Sequence, residues 1–125
     1  MSKERKLLER IIKHFEKQGR FARDDHGCVY RKIVEGRICK CALGCLVPKS
    51  KYNPDMEKVA LYSDYGDSYR HAVLKTVLVD LGLYEHKEFL ASMQYLHDNY
   101  ALGRGMSNNF NDFMTELKGK REVYV

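Results

Sequence analysis

The chain has 125 residues, of which 44% are hydrophobic, 11% aromatic and 31% charged. It is long enough to bury one core and too short for two, so a single domain over residues 1–125 is expected. No apolar run approaches the roughly 20 residues that cross a bilayer. The N-terminal MSKERKLLERIIKHFEKQ is charged throughout and offers no signal-peptide core. A cytosolic compartment without membrane attachment is expected. Thiols stay reduced there, so four cysteines do not read as two disulfides.

The net charge of +5 is unevenly spread. Residues 1–52 carry 14 Lys and Arg against 6 Asp and Glu, residues 53–101 carry 4 against 8, and residues 102–125 add +1. Either the halves neutralise each other, within the fold or across a homodimer interface, or a basic face is left for nucleic acid or an acidic protein.

In chain order, residues 3–18 predict an amphipathic helix with Leu8, Ile11, Ile12 and Phe15 on one face and Gly19 as C-terminal cap. Lys3, Lys6, Arg10, Lys13, Lys17 and Arg20 recur every three or four residues on the opposite face. CVYRKIVEGRICK, residues 28–40, predicts a β-hairpin turning at Glu35-Gly36. CALGCLVP then reads as a short helical turn stopped by Pro48, with Gly44 allowing close approach. A helix over 67–81 follows, capped by Asp67 or Ser68 and presenting Leu74, Val77, Leu78 and Leu81. Residues 85–100 align Phe89, Met93, Leu96 and Tyr100. Residues 107–118, begun by Ser107, align Phe110, Phe113, Met114 and Leu117. The final REVYV is expected to return as an edge strand beside the hairpin. The fold class is α+β, mainly helical: an N-terminal amphipathic helix, one hairpin, then three or more helices.

Three cysteines crowd into GRICKCALGCLVP. Structural zinc wants four Cys or His ligands, usually from two C-x₂₋₄-C pairs. Here Cys28, Cys39, Cys41 and Cys45, with His26 upstream, could converge only with unusual spacing, and Cys45 sits in an apolar run. Buried structural thiols are the expected reading and zinc the alternative.

C-V-Y-R at 28–31, the turn at Gly36, C-A-L-G-C-L-V-P at 41–48, Tyr52, D-M-E at 55–57 and Q-Y-L-H-D at 94–98 form an ordered series. Over residues 7–117 it resembles a family of small bacteriophage and prophage proteins. The most specific element is C-A-x-G-x-L-[IV]-P followed by Y and M-E. Cys39 departs from that pattern, and Phe110 or Phe113 supplies its aromatic in the last helix. The resemblance implies a phage-type accessory protein of the bacterial cytosol and no particular chemistry.

His71, His97-Asp98 and Asp112 imitate the order of helical metal phosphohydrolases, but Asp98 and Asp112 stand too close in sequence, and His97 adjoins a core position. No phosphate loop, G-x-S-x-G or HExxH is present, and Cys28 with His26 is too thin a basis for a nucleophile and base. LYSDYGDSYR offers Tyr62, Asp64, Tyr65, Asp67 and Tyr69 as a protein interface. Lys6, Arg10, Lys13, Lys17 and Arg20 offer phosphate contacts without an aromatic for stacking. The expectation is a non-enzymatic protein, without cofactor, that binds and modulates a host or phage protein. Nucleic-acid binding by the basic helix is the alternative, and a zinc-containing or HD-like hydrolase the second alternative.

Overall fold

The computed structural model describes residues 1–24, 27–105 and 107–125. Helix α1 spans Lys3–Gln18. The Ser2 hydroxyl accepts the Arg5 N–H at 3.1 Å, and Gly19, at φ 73°, closes the helix by donating to the Phe15 carbonyl at 2.8 Å. Only a residue tolerant of the left-handed region fits that cap. Leu7, Leu8, Ile11, Ile12 and Phe15 are buried, each stabilising the fold by about 1.5–3 kcal/mol. Lys3, Lys6, Arg10, Lys13 and Lys17 are exposed on the far side, as the spacing predicts.

Two short antiparallel pairs follow. β1 (Arg23–Asp24) pairs with β2 (Gly27–Cys28), and β3 (Arg31–Val34) with β4 (Arg37–Lys40). The second pair is the expected hairpin, with Glu35 at φ 51° and Gly36 at φ 78°, the left-handed pair that a two-residue turn between twisted strands requires. Its opposed Ile33 and Ile38 are exposed, while Cys39 faces the core. The β1–β2 pair was beyond sequence reading, because two residues carry no periodicity. A 3-10 turn at Gly44–Leu46 packs against α1.

α2 (Ser68–Asp80) is capped by Asp67 and buries Leu74, Val77 and Leu78. α3 (Lys87–Leu102) buries Phe89, Met93, Leu96 and Tyr100 and ends at Gly103. α4 (Phe110–Gly119) starts later than Ser107 suggests. The Ser107 hydroxyl closes a local turn with the Asn109 N–H, and the Asn109 side chain caps the helix by accepting from Asn111 and Asp112. The architecture is mainly helical α+β.

The C-terminal segment forms no strand. Lys120–Glu122 is a 3-10 turn, held because Arg121 makes a two-pronged ion pair with Glu9 of α1 at 2.8 Å. Arg5 donates to the carbonyls of Arg121 and Tyr124, and the Tyr124 ring packs edge-on to Phe89. Partners on α1 and α3 therefore outcompete the hairpin edge. At the centre, Phe15 stacks on His97 at 5.4 Å, with Phe21 and Phe113 edge-on to that imidazole.

Candidate functional site: a tyrosine and arginine cleft beside helix α3

Helix α3 buries two faces. Its apolar residues face the core, but Gln94, His97, Asp98 and Ala101, at i, i+3, i+4 and i+7, are also buried. Gln94 and Asp98 of this stripe line an open cleft of about 830 Å³, together with Cys28, Tyr30, Arg31, Tyr52, Glu57, Lys58, Tyr62, Tyr65 and Arg104.

The cleft floor is a closed hydrogen-bond network. Gln94 accepts the Leu61 N–H at 2.7 Å and donates to the Tyr30 hydroxyl at 2.6 Å. The Tyr30 hydroxyl donates to the Val59 carbonyl at 2.7 Å. Glu57 accepts from the backbone of Tyr30 and Arg31 and from the Tyr52 hydroxyl, at 2.9, 3.2 and 2.6 Å. Among the described residues no buried side-chain polar atom lacks a partner.

His97 and Asp98 sit deepest. The Ala22 N–H donates to His97 Nε2 at 3.1 Å, so the neutral ring carries its proton on Nδ1 and donates to Asp98 Oδ1 at 2.9 Å. The Tyr62 hydroxyl donates to Asp98 Oδ2 at 2.9 Å. Burial, then the neighbouring Asp98 carboxylate, pushes the Cys28 thiol up. The same two causes push the Tyr62 phenol up to about 12.

Cys28, His97 and Asp98 bring three potential metal-ligand atoms within 4.8 Å of one another. Their hydrogen bonds oppose a cation. One imidazole nitrogen already accepts a backbone proton, so coordination through the other would require imidazolate. The same bonding opposes a nucleophile and base, since neither ring nitrogen is free to take the Cys28 proton and the thiol is held protonated.

The chain was compared with family models, curated proteins and solved structures. Nothing matches.

The other sequence-singled residues fall in several places. His26 lies outside the described residues. Cys39 and Cys41 are buried; the Gly44 N–H donates to Cys41 Sγ, and Cys45 donates to the Ala42 carbonyl. Burial pushes Cys45 up to about 12. Among the described residues, Cys28, Cys39, Cys41 and Cys45 form no common ligand cluster, because Cys28 belongs to the cleft and Cys39 to the hairpin's core side. His71 contacts the Tyr65 carbonyl and Asp112 is exposed on α4, so neither joins His97 and Asp98.

The tyrosine patch divides. Tyr62 is half-buried against Tyr95 and Asp98, and Asp67 serves as the α2 cap. Tyr65 is 89% exposed, Tyr69 is 61% exposed and reaches Asp55 at 3.3 Å, and Asp64 is exposed. On the basic face, Arg20 is paired with Glu35, while Lys6, Arg10, Lys13 and Lys17 have no carboxylate partner among the described residues.

The cleft itself was not anticipated. Its signal was the second helical stripe in α3: polar Gln94, His97 and Asp98 beside an apolar face. Of the ordered sequence series, Cys28, Tyr30, Arg31, Cys41, Tyr52, Glu57, Gln94 and Asp98 line it.

Proposed function

We propose that this chain is a non-catalytic, phage-type accessory protein of the bacterial cytosol, and that it captures a protein partner on its exposed tyrosines, Tyr65 at the cleft lip and Tyr69 at the start of α2. The observation that carries this reading is the exposure of Tyr65, a large aromatic that lines the cleft yet is 89% accessible. Tyrosine gives large contact area at low entropic cost and is enriched at interfaces. Asp64 beside it adds charge for orientation. The engaged nitrogens of His97 and the raised thiol of Cys28 support action by binding. The resemblance to phage proteins points to a host or phage protein as target, such as a polymerase, nuclease or defence complex.

The test is affinity capture from nuclease-treated bacterial lysate. One dominant protein is expected, lost with Tyr65→Ala while the melting temperature is unchanged. Capture that survives Tyr65→Ala refutes the lip as the interface.

A second reading is favoured by the exposed, carboxylate-free Lys6, Arg10, Lys13 and Lys17 on α1. Such a stripe would track phosphates and give steeply salt-dependent nucleic-acid binding. A mobility shift at low salt, abolished by reversing Lys6, Arg10 and Lys13 to Glu, would support it; no shift at low salt would end it.

A further inference from the structure

The cleft beneath the lip has a charge balance that the protein-partner reading does not use. Among the described residues its lining has three carboxylates, each already hydrogen-bonded. Asp24 pairs with Lys32 at 2.9 Å, Glu57 holds two backbone N–H groups and the Tyr52 hydroxyl, and Asp98 holds His97 and Tyr62. The cations are less committed. Arg31 and Lys58 have no carboxylate partner among the described residues, and Arg104, on the exposed rim, forms no ion pair among them either. Glu57 brings the first two together, accepting from the Arg31 backbone and directly preceding Lys58. Arg104 arrives from the other end of the sequence, just past the α3 cap at Gly103.

Along the described cleft lining Arg23, Arg31, Lys32, Lys58 and Arg104 outnumber Asp24, Glu57 and Asp98 by five to three, and such an excess of one sign in a cleft focuses a positive potential there. Guanidinium groups also match phosphate geometry through paired donors. The phenols of Tyr52, Tyr62 and Tyr65 stand among these cations, and aromatic faces hold nucleobases by stacking. The volume of about 830 Å³ lies within the roughly 300–1,000 Å³ of small-molecule sites. We propose that this cleft is a nucleotide site: a phosphate is held by Arg31, Lys58 and Arg104, and the base lies against the tyrosines. The nucleotide unit is either free or part of a single strand. This inference shares Tyr65 with the protein-partner reading but rests on Arg31, Lys58 and Arg104, so nucleotide titration and lysate capture can fail separately.

An acidic peptide is the competing occupant, and two observations disfavour it. The carboxylates of Asp24, Glu57 and Asp98 in the lining would repel it, and extended carboxylates make no use of the aromatic walls.

The test is isothermal titration of the full chain with each of the four ribonucleoside 5′-monophosphates. Parallel arms use the parent nucleosides, inorganic phosphate, a ten-nucleotide oligodeoxythymidylate and a glutamate decapeptide. At least one monophosphate is expected to bind at least tenfold more tightly than its nucleoside or phosphate alone. Arg104→Gln and Arg31→Gln should each weaken it about tenfold, and Tyr65→Ala about fivefold or more, with unchanged melting temperatures. Chemical-shift mapping provides a readout independent of these variants, and the perturbed amides should cluster at residues 52–65 and 98–104. Oligonucleotide binding that is lost with Arg104→Gln supports the site and assigns the strand as source. Oligonucleotide binding indifferent to Arg104→Gln places nucleic acid on α1 and overturns the proposal. So do nucleotide silence at millimolar concentration, inorganic phosphate matching the nucleotides, or the decapeptide alone binding.

Discussion

Gly44 offers the sharpest test of how the cysteine-rich corner is packed. A Cβ built on Gly44 would lie 2.0 Å from the Tyr30 carbonyl oxygen, 2.8 Å from its carbonyl carbon and 3.1 Å from its Cα. Ordinary contacts to carbon lie near ~3.5 Å, so the Tyr30 backbone would have to retreat by more than about 1 Å. That backbone is fastened by Glu57 at the amide and by Val59 and Gln94 through the side chain. Overpacking in a core costs typically about 1–3 kcal/mol, and a clash with fixed backbone belongs at or above the top of that range. At about 4 °C per kcal/mol for a chain of this size, Gly44→Ala should lower the melting temperature by about 12 °C or more. Gly119→Ala is the matched control, because it has φ −62° and no atom within 4 Å of its Cβ. Helix propensity there predicts neutrality or a gain of up to about 1 kcal/mol. Thermal melts followed by circular dichroism would check both. A Gly44→Ala shift no larger than that of Gly119→Ala would refute this account of the corner.

Two further outcomes follow from titration. The Arg121 and Arg5 side chains hold the Glu9 carboxyl down at about 2, below its ordinary 4.5. A lowered acid stabilises the fold above the unfolded value and loses that contribution as pH falls toward the folded one. The gap in urea midpoint between wild type and Glu9→Gln should therefore be widest at pH 7 and close between pH 4.5 and 2; a gap independent of pH would refute the pairing. Burial pushes the Cys28, Cys41 and Cys45 thiols up, and Cys39 is 1% exposed. At pH 8 a disulfide reagent such as dithionitrobenzoate should thus label the native chain far more slowly than the urea-unfolded chain, and rapid stoichiometric labelling of the native protein would contradict the buried-thiol reading.

Elements whose signal is local were legible in the sequence. α1 announces itself through Leu8, Ile11, Ile12 and Phe15 and its Gly19 cap, and the β3–β4 hairpin through Glu35-Gly36. Close packing at Gly44 followed from a glycine set in an apolar run. The C-terminal segment was not legible, because REVYV has strand propensity and its fate is decided by Glu9, Arg5 and Phe89, each more than 30 residues away. The start of α4 was misplaced for a related reason: Ser107 and Asn109 are both good caps, and only the backbone path decides which one faces the helix. Half of the tyrosine patch was likewise hidden. Nothing near Tyr62 in sequence announces Asp98, the carboxylate that draws its hydroxyl inward.

The cleft joins these points into one constraint on experiment. Its floor is made by Tyr30, Glu57, Gln94, His97 and Asp98, and the same groups satisfy backbone N–H groups, buried at Ala22 and part-buried at Arg31 and Leu61. Truncating any of them strands a buried donor or acceptor at a cost of about 1–3 kcal/mol. Loss of binding in such variants would therefore say nothing about recognition. The rim differs, because Tyr65, Lys58 and Arg104 are exposed and no carboxylate is lost with them. Lys58 separates the two roles most clearly. It holds φ 69°, a conformation that costs a non-glycine residue about 1–2 kcal/mol. Lys58→Gly removes that strain along with the cation, so the variant should melt no lower than wild type while binding nucleotide more weakly. A variant that loses both would make Lys58 part of the fold rather than of the site.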